Sequence, residues 1–293
     1  MVYPSALSLS KGEWRIATQS LERVDFSPLG FTGRYSMDKE PIIVVENLTA
    51  RFGSNTVFEN VSFQVDKGEI FVILGGSGCG KSTLLKHLIG LYETSSGKVE
   101  INGVDIRTAD ERQLRKVRTQ LGVSFQSSAL FGSMTLAENV DLPLQEYTDL
   151  SREAIELIVK MKLGMVNLAG YDNHLPSEIS GGMKKRAGLA RAMALDPIVL
   201  FFDEPSAGLD PITSAELDSL IKNINAGMGT TMVVVTHELQ SIFNIAHRII
   251  MLDKGAKGII AEGDPRWLKD HATDPRVSDF FNRKVPEQET KGT

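Results

Sequence analysis

The chain has 293 residues, a formal net charge of −5, and 42% hydrophobic and 24% charged residues, values typical of a globular protein of one large domain or two small ones. The acidic balance argues against a nucleic-acid partner, because proteins that bind nucleic acid usually carry a basic surface. The single cysteine excludes an intramolecular disulfide, and no apolar run approaches the roughly 20 residues that span a bilayer, so any membrane role is expected to come through a partner.

The first predicted elements lie beyond residue 40. Residues 1–40 have a mixed composition without sustained periodicity, so we expect a poorly ordered N-terminal extension. An amphipathic arm that docks on a partner and a translation start at Met37 are alternatives. The next part of the chain predicts a charged surface helix at 108–118 and strands at 42–45, 61–65, 69–74, 98–101 and 122–125.

A glycine-rich loop follows the strand at 69–74 and precedes a predicted helix. Its spacing, G-x-x-x-x-G-K-[ST], is that of a phosphate-binding P-loop, in which Lys81 can reach the terminal phosphates and Ser82 can ligate Mg²⁺. Glycines let backbone N–H groups converge on phosphate oxygens, and the helix N-terminus adds partial positive charge. We interpret Cys79 as a tolerated spacer whose alkylation would block the nucleotide. A nucleoside triphosphate is predicted to bind Gly75, Gly76, Ser77, Gly78, Cys79, Gly80, Lys81, Ser82 and Thr83.

Residues from about 127 to 195 change to a mainly helical pattern. The pattern predicts helices here, followed by alternating strands and helices, at 136–142, 151–161, 182–194, 198–202, 212–226, 231–235 and 239–246. We therefore expect a parallel α/β core that is interrupted by a helical subdomain at about 127–195. The alternative is that these helices belong to the core and do not form a separate subdomain.

Two carboxylates end the strand predicted at 198–202. A continuous apolar run of this kind belongs in a sheet buried on both faces, and ligands of open α/β sheets bind at the carboxyl ends of the strands. Asp203 can hold Mg²⁺ through its water shell, and Glu204 can polarise a water for attack on the γ-phosphate. A pair of solvated acids that opens a loop is the alternative.

A second candidate anion site opens the helix predicted at 182–194. A serine that can cap the helix is followed by two glycines that leave N–H groups bare, and by the basic residues 184–186. Two half-sites in one chain suggest that a second copy of the chain completes each site, with a cap that serves only the fold as the alternative. The residues of this half-site are Ser180, Gly181, Gly182 and Met183.

The order of these motifs resembles that of ABC-transporter ATPases over about residues 42–262. The further matches are Gln126 after a strand, the run Ser-Ala-Gly-Leu-Asp that ends at Asp210, and His237 after the strand at 231–235. The resemblance implies an α/β fold, a RecA-like P-loop NTPase core with an antiparallel β subdomain and an inserted helical subdomain. It implies ATP and Mg²⁺ as cofactors, ATP hydrolysis as the activity, and 41–262 as the ATPase domain.

Roles for single residues follow from this resemblance. Phe52 matches the aromatic residue that stacks on adenine, with a plain core aromatic as the alternative, and Asp210 matches a residue that crosses the interface of a homodimer. Two ATP molecules would lie head to tail in that dimer, each closed in by the partner's Ser180, Gly181, Gly182 and Met183. The resemblance assigns catalysis to Glu204, His237, Gln126 and Lys81. It assigns Mg²⁺ binding to Ser82, Gln126 and Asp203.

The ATPases of Mla/Mce-type phospholipid transporters are a closer resemblance. It rests on Met183 in place of the usual signature glutamine, on the segments 125–131 and 192–197, and on Asp-Pro-Arg-Val at 274–277. It implies a homodimer under two copies of an integral-membrane permease, with an Mce-domain lipid-binding protein and often a small STAS-domain protein. The chain would be peripheral to the cytoplasmic face of a bacterial inner membrane.

Other functions remain as alternatives. A polar-nutrient ABC importer would use the same ATPase, and a soluble ABC ATPase of DNA repair, chromosome structure or translation belongs to another class. The spacing between Lys81 and Ser180 leaves no room for a long coiled coil, which disfavours that class. The presence of Glu204 and His237 disfavours a regulator that binds nucleotide without hydrolysis.

The surfaces expected to meet other subunits are less specific. Residues 263–293 are predicted to be a short C-terminal extension with a disordered end at 284–293. Its helices would dock on a neighbouring subunit through Trp267, Leu268, Val277, Phe280 and Phe281. The candidates for a groove that receives the permease, with burial in the helical subdomain as the alternative, are Leu130, Phe131 and Met134.

Overall fold

The computed structural model describes residues 40–283, so the predictions for the extension before residue 40 and for the disordered end at 284–293 lie outside the described residues. The strands are β1 (Pro41–Phe52), β2 (Asn55–Asp66), β3 (Ile70–Gly75), β4 (Ser96–Ile101), β5 (Val104–Asp105), β6 (Leu121–Ser124), β7 (Val199–Asp203), β8 (Thr231–Val235), β9 (Arg248–Asp253) and β10 (Gly258–Gly263). The α-helices are α1 (Lys81–Leu88), α2 (Glu111–Thr119), α3 (Leu136–Tyr147), α4 (Arg152–Met165), α5 (Gly181–Ala192), α6 (Pro211–Met228), α7 (Leu239–Ile245), α8 (Pro265–His271) and α9 (Pro275–Asn282).

A six-stranded sheet forms the centre of the structure, in the order β10-β9-β3-β8-β7-β6. The strands from β9 to β6 pair in parallel, and β10 pairs antiparallel to β9. Every residue of β3, β7 and β8 is buried, as their continuous apolar sequences predict for strands covered on both faces. The predicted α/β fold is confirmed.

The antiparallel subdomain is a four-stranded sheet in the order β2-β1-β4-β5. Its long hairpin, β1 and β2, turns at Gly53, which has a φ of +59° that glycine adopts without strain. Phe58 of β2 is buried, and so are the alternate residues Val61, Phe63 and Val65. They pack in one core with α1 and with one face of the six-stranded sheet.

The helical segment α3–α5 packs with the other face of the central sheet. Residues that alternate with those of the first core, such as Val72, Leu200 and Val234, share this second core with Leu163 and Leu189 of the helices. Side-chain oxygens of Thr135, Ser151 and Ser180 cap the three helices. The segment therefore interrupts the chain between β6 and β7 without interrupting the sheet.

The C-terminal helices α8 and α9 exist, but most of their apolar residues are buried within this chain. Leu268, Val277 and Phe281 belong to the second core and are not free to dock on a neighbour, whereas Phe280 packs against this core and is only partly buried. Trp267 remains 55% exposed, and docking through it stays a prediction. Within the described residues, no helix is both long and apolar enough to cross a membrane.

Candidate nucleotide site

Four adjacent parallel strands, β3, β8, β7 and β6, end at one edge of the central sheet. The P-loop follows β3, Thr236 and His237 follow β8, Asp203 ends β7, and Gln126 comes two residues after β6. Because parallel strands have their carboxyl ends on the same side, the fold collects residues that lie far apart in the sequence. All four predicted strand-end motifs therefore meet at this edge.

The P-loop backbone requires glycine at three positions. Gly75, Gly78 and Gly80 have φ angles of +147°, +74° and +104°, which residues with a side chain rarely adopt. A Cβ at Gly75 would lie 2.3 Å from the backbone oxygen of Leu252, and one at Gly80 would lie 2.8 Å from Val57 Cγ1. α1 begins after Gly80 without a side-chain cap, so the backbone N–H groups at its start can serve a phosphate group.

Lys81 extends back along the loop. Its Nζ donates hydrogen bonds to the backbone oxygens of Gly75 at 2.8 Å and Gly76 at 3.2 Å. The ammonium group therefore lies over the loop, where a phosphate chain would be held.

Cys79, which the sequence analysis interprets as a tolerated spacer open to alkylation, is buried. Its side chain is 2% exposed and packs in the core below the loop, and a Cβ at Gly75 would lie 2.7 Å from Sγ. Burial raises the pKa of the thiol. Alkylation of Cys79 would first require the loop to open, and only the backbone of this residue can face a nucleotide.

Ser82 and Asp203 form the part of the site that suits Mg²⁺. Ser82 Oγ donates a hydrogen bond to Asp203 Oδ1 at 3.0 Å, so a hydroxyl and a carboxylate oxygen lie side by side. Hard oxygen ligands of this kind fit Mg²⁺, which proteins usually hold with one or two side chains plus phosphate and water. Residues 40–283 contain no cluster of three or more His, Cys, Asp or Glu side chains that could hold a metal by themselves.

Glu204 and His237 are in direct contact at the ends of β7 and β8. His237 Nδ1 lies 2.9 Å from both carboxylate oxygens of Glu204. The Glu204 side chain is 13% exposed and that of His237 61% exposed, so the pair stands at the rim of the site. Glu204 has a φ of +48°, an unfavourable angle for a residue with a side chain, and its N–H donates to the backbone oxygen of Val235 at 2.8 Å.

Phe52 stands at the end of β1 and is 48% exposed, which argues against a plain core aromatic. Its ring meets Tyr92 edge to face, with 5.5 Å between the ring centroids. Tyr92 in turn contacts the buried ring of His87 on α1 at 5.6 Å. Tyr92 was not predicted, because no sequence pattern around it distinguishes a ring that supports Phe52 from an ordinary surface tyrosine.

The second half-site starts α5. Ser180 Oγ accepts a hydrogen bond from the Met183 N–H at 3.2 Å, so Ser180 is the helix cap that the sequence predicts. Gly181 is exposed, whereas a Cβ at Gly182 would lie 2.5 Å from Thr213 Cγ2 on α6. The glycines therefore allow both an accessible helix end and close packing of α5 on α6.

Asp210 caps the neighbouring helix α6. Its Oδ1 accepts hydrogen bonds from the N–H groups of Ile212 and Thr213, and its Oδ2 accepts one from the Thr213 hydroxyl at 2.6 Å. These bonds from Thr213 hold the pKa of the carboxyl below its usual value. Thr213 also touches Gly182, so the structure brings the starts of α5 and α6 together.

Residues 58–207, about half of the chain, match the family described as ABC transporter. The chain belongs to the ABC transporter family. It is 42% identical over 87% of its length to a probable ribonucleotide transport ATP-binding protein, mkl, of Mycobacterium leprae, and covers 72% of that protein. It is also 42% identical over 82% of its length to the intermembrane phospholipid transport system ATP-binding protein MlaF of Haemophilus influenzae, and covers 90% of it.

Other members of the ABC family are also similar. The methionine import ATP-binding protein MetN of Brucella abortus is 40% identical over 78% of this chain, which covers 60% of MetN. A dimeric post-hydrolysis structure of the ATP-binding cassette MJ0796, bound to ADP and Pi, superposes with a TM-score of 0.67. It shares 31% identity, over 76% of this chain and 98% of that one. The chain is thus the ATPase subunit of an ABC transporter, as predicted.

The basic residues that follow the half-site at Ser180 differ from the expectation. All three were predicted to strengthen an anion site, but Lys185 turns into the chain and donates to backbone oxygens of Gln126 and Glu204. Arg186 pairs with Glu216 on α6. In this ABC ATPase Lys185 and Arg186 therefore have structural partners of their own, which leaves Lys184 and the start of α5 as the groups predicted to serve an anion.

The residues predicted to form a permease groove also differ in their exposure. Leu130 packs against the second core, whereas Phe131 is 49% exposed beside the guanidinium of Arg191. Asn139 holds the loop, because its side chain bonds the backbone of Phe131 through both Oδ1 and Nδ2. Met134, the third member of the predicted group, is partly buried, so Phe131 is its most exposed member and the one best placed to meet another protein.

Proposed function

We propose that this ATPase drives the movement of phospholipid between membranes, as part of a transporter of the Mla/Mce type. The observation that carries the proposal is the similarity to MlaF, which extends over 90% of the length of that protein. The substitution of Met183 for the usual signature glutamine supports it, since it is one of the features that resemble the Mla/Mce-type ATPases. ATP and Mg²⁺ are the proposed cofactors.

Nucleotide binding is assigned to the P-loop and to Phe52. The phosphate chain would meet the backbone N–H groups of residues 75–83 and the Lys81 ammonium, which lies over the loop. The exposed Phe52 ring would stack on adenine, supported edge-on by Tyr92. Ser82, Asp203 and Gln126 would hold Mg²⁺, which when bound neutralises charge on the phosphate groups.

Hydrolysis is assigned to Glu204 with His237. Glu204 would accept a proton from the attacking water, while Nδ1 of His237, 2.9 Å away, holds the carboxylate in one orientation. Lys81, His237 and Gln126 would stabilise the charge that develops on the γ-phosphate and position the water. Ser180, Gly181, Gly182 and Met183 would close over the ATP of a second copy, with Asp210 at the interface of the homodimer.

The proposed assembly follows from this homodimer. Two ATPase subunits would bind two copies of an integral-membrane permease on the cytoplasmic face of a bacterial inner membrane. An Mce-domain lipid-binding protein and a small STAS-domain protein complete the proposed complex. Exposed Phe131 is the proposed contact with the permease, and Trp267 the proposed contact with a neighbouring subunit.

A single purification tests the substrate. The subunit carrying Glu204→Gln, which we expect to hold ATP and the closed dimer, would be tagged and purified from detergent-solubilised membranes. Mass spectrometry would then identify the proteins and lipids that accompany it. A permease with an Mce-domain protein and enriched phospholipid is the expected result.

A polar-nutrient importer is the second candidate, because the similarity to MetN, a methionine import protein, reaches 40% identity. A permease that purifies with a soluble binding protein and without phospholipid enrichment would favour this candidate. Purification without any membrane protein would contradict both.

A further inference from the structure

Lys185 lies in the second turn of α5 and is 8% exposed. Its Nζ donates a hydrogen bond to the backbone oxygen of Gln126 at 2.6 Å and another to that of Glu204 at 3.3 Å. A buried ammonium group is costly without such partners, because it has lost the water that would solvate it. Lys185 therefore joins three elements: the helix that Ser180 caps, the loop after β6, and the end of β7.

The backbone at Glu204 needs this support. Its φ of +48° is unfavourable for a residue with a side chain, and such angles persist only where the surroundings fix them. The Glu204 N–H is held by Val235, and its backbone oxygen accepts bonds from Lys185 Nζ and from the Ala207 N–H at 3.2 Å. Because a change of this backbone angle would turn the side chain, the bonds determine where the carboxylate of Glu204 points.

The loop after Gln126 is held by the same helix. One and a half turns beyond Lys185, Arg191 donates to the backbone oxygens of Ser128 at 3.1 Å and Ala129 at 2.7 Å. Ser128 and Ala129 also have positive φ angles, of +62° and +47°. The loop conformation thus depends on two cations of α5, and Lys185 is the one that also reaches Glu204.

We infer that Lys185 is a positioning residue, which fixes the backbone of Gln126 and Glu204 together and ties both to the helix whose start faces the partner's nucleotide. Docking of the partner's ATP at Ser180 would then act on the hydrolytic residues of this subunit through a single side chain. The inference rests on the roles proposed above for Gln126, Glu204 and Ser180. Burial lowers the pKa of the Lys185 ammonium, and the carboxylates of Glu204, Asp203 and Glu238 oppose that shift.

Three variants of the full chain separate this role from plain stability. Lys185→Met removes the ammonium and keeps much of the length of the side chain, and Lys185→Arg restores a cation that can donate to carbonyl groups. Lys162→Met is the matched control: Lys162 is 1% exposed in the same helical segment, but its partner is Asp196 and it contacts none of the proposed hydrolytic residues. A purely structural role would make the two Met variants behave alike.

Hydrogen exchange without nucleotide measures the physical link. We expect Lys185→Met to speed exchange at the amides of Ser128, Glu204 and Ala207 by roughly tenfold or more, as the loss of a charged hydrogen bond predicts. Lys185→Arg should restore part of the protection, and Lys162→Met should leave these amides unchanged. Wild-type exchange in Lys185→Met would overturn the inference whether or not the proposed function is right.

Steady-state kinetics measure the consequence for hydrolysis. Lys185→Met should lower kcat by roughly 10- to 100-fold, because small misplacements of catalytic groups have effects of this size. The affinity for a fluorescent ATP analogue should stay within about twofold of wild type, since the P-loop is not touched. An equal loss of kcat in Lys162→Met, or no rescue by Arg, would overturn the inference.

Two further results keep the test decisive. If Lys185→Met does not fold, Lys185→Gln, whose shorter side chain has a neutral amide NH2 in place of the ammonium, replaces it in both measurements. If Glu204→Gln hydrolyses ATP at the wild-type rate, the proposed role of Glu204 fails, and the exchange experiment alone then decides whether Lys185 supports these backbones.

Discussion

Two helix starts in this molecule are proposed to bind phosphate, and they are built differently. α1 begins after Gly80, which has a left-handed backbone and provides no side-chain cap. α5 begins after Ser180, whose hydroxyl accepts a hydrogen bond from the Met183 N–H. A helix start without a side-chain cap leaves its backbone N–H groups free to bind a ligand. A helix start with a side-chain cap is stable in the absence of a ligand, which suits a site that a second subunit would complete.

The packing around the two helix starts also differs. The loop before α1 is fixed by contacts that leave no room for a Cβ at Gly75 or Gly80. Around Gly181 there is open space, and only Gly182 is packed, against Thr213. The first start is a rigid binding site and the second is a surface, which is the arrangement expected if a second copy of the chain completes the site.

Removal of the proposed base should have the largest effect and leave both helix starts intact. We expect Glu204→Gln to slow ATP turnover by roughly 10²- to 10⁴-fold while nucleotide binding persists. Glu216→Gln, an exposed carboxylate on α6, is the control in the same phosphate-release assay. Equal rates of ATP turnover for Glu204→Gln and wild type would contradict the assignment of Glu204 as the base.

Loss of the lysine over the P-loop should weaken nucleotide binding at the start of α1 and leave the start of α5 unaffected. Lys81→Ala removes the ammonium that lies 2.8 Å from the Gly75 oxygen, and we expect ATP affinity to fall by roughly 100-fold, as for loss of a charged contact to phosphate. Lys116→Ala on the exposed face of α2 is the control in an equilibrium titration. Unchanged affinity in Lys81→Ala would count against the P-loop assignment.

A negative charge at position 180 should prevent the start of α5 from binding a partner's ATP, while the fold is retained. Aspartate caps helices as well as serine does, so Ser180→Asp should fold normally, but its carboxylate would repel the phosphates of a partner's ATP. We expect unchanged ATP affinity of the monomer and a loss of ATP-dependent dimerisation of roughly tenfold or more in light scattering.

The stability of the helix cap needs its own control. Ser180→Ala and Ser151→Ala each remove a serine cap, from α5 and α4, and each should lower stability by about 1 kcal/mol. Only Ser180→Ala should weaken dimerisation. The same loss of dimerisation in both would mean that the α5 start acts through the fold rather than through the nucleotide.

The smallest effect is expected at the adenine contact, which belongs to the first start. Phe52→Ala should weaken ATP binding by roughly tenfold, the lower part of the range for base stacking, and Phe52→Trp should preserve it. Phe131→Ala is the matched control, because Phe131 is 49% exposed and Phe52 is 48% exposed. A loss of affinity in Phe131→Ala equal to that in Phe52→Ala would contradict the stacking role.

The sequence predicted the central strands and the strand-end residues well, for a physical reason. β3, β7 and β8 are short strands built on continuous apolar runs, and the chemical groups must stand at or directly after the ends of such strands if they are to meet. The prediction that ended α3 at residue 142 was wrong. Pro143 normally stops a helix, but burial of Leu144 in the core favours continuation to Tyr147.

Side-chain direction is what the sequence could not supply. Three successive basic residues at 184–186 look alike in a pattern, yet on a helix they point about 100° apart, and only the packed structure shows that Lys185 turns inward. Burial of Cys79 under its own loop likewise depends on the packing around Gly75 rather than on its position in the P-loop.

The strands β9 and β10 were also not predicted from the sequence.

The far end of α5 has a mechanical consequence. A Cβ at Gly122 on β6 would lie 2.1 Å from the Ala192 oxygen, so helix and sheet touch there without room to slide. With about 1.5 Å of rise per residue, Lys185 is about 10 Å and Ser180 about 18 Å from this contact. If α5 swings as a rod about that fulcrum, a 1 Å displacement of Ser180 moves Lys185 by about 0.6 Å. The helix would then work as a lever, and somewhat more than half of a small displacement at the subunit surface would reach Lys185, whose Nζ donates to the backbone oxygen of Glu204.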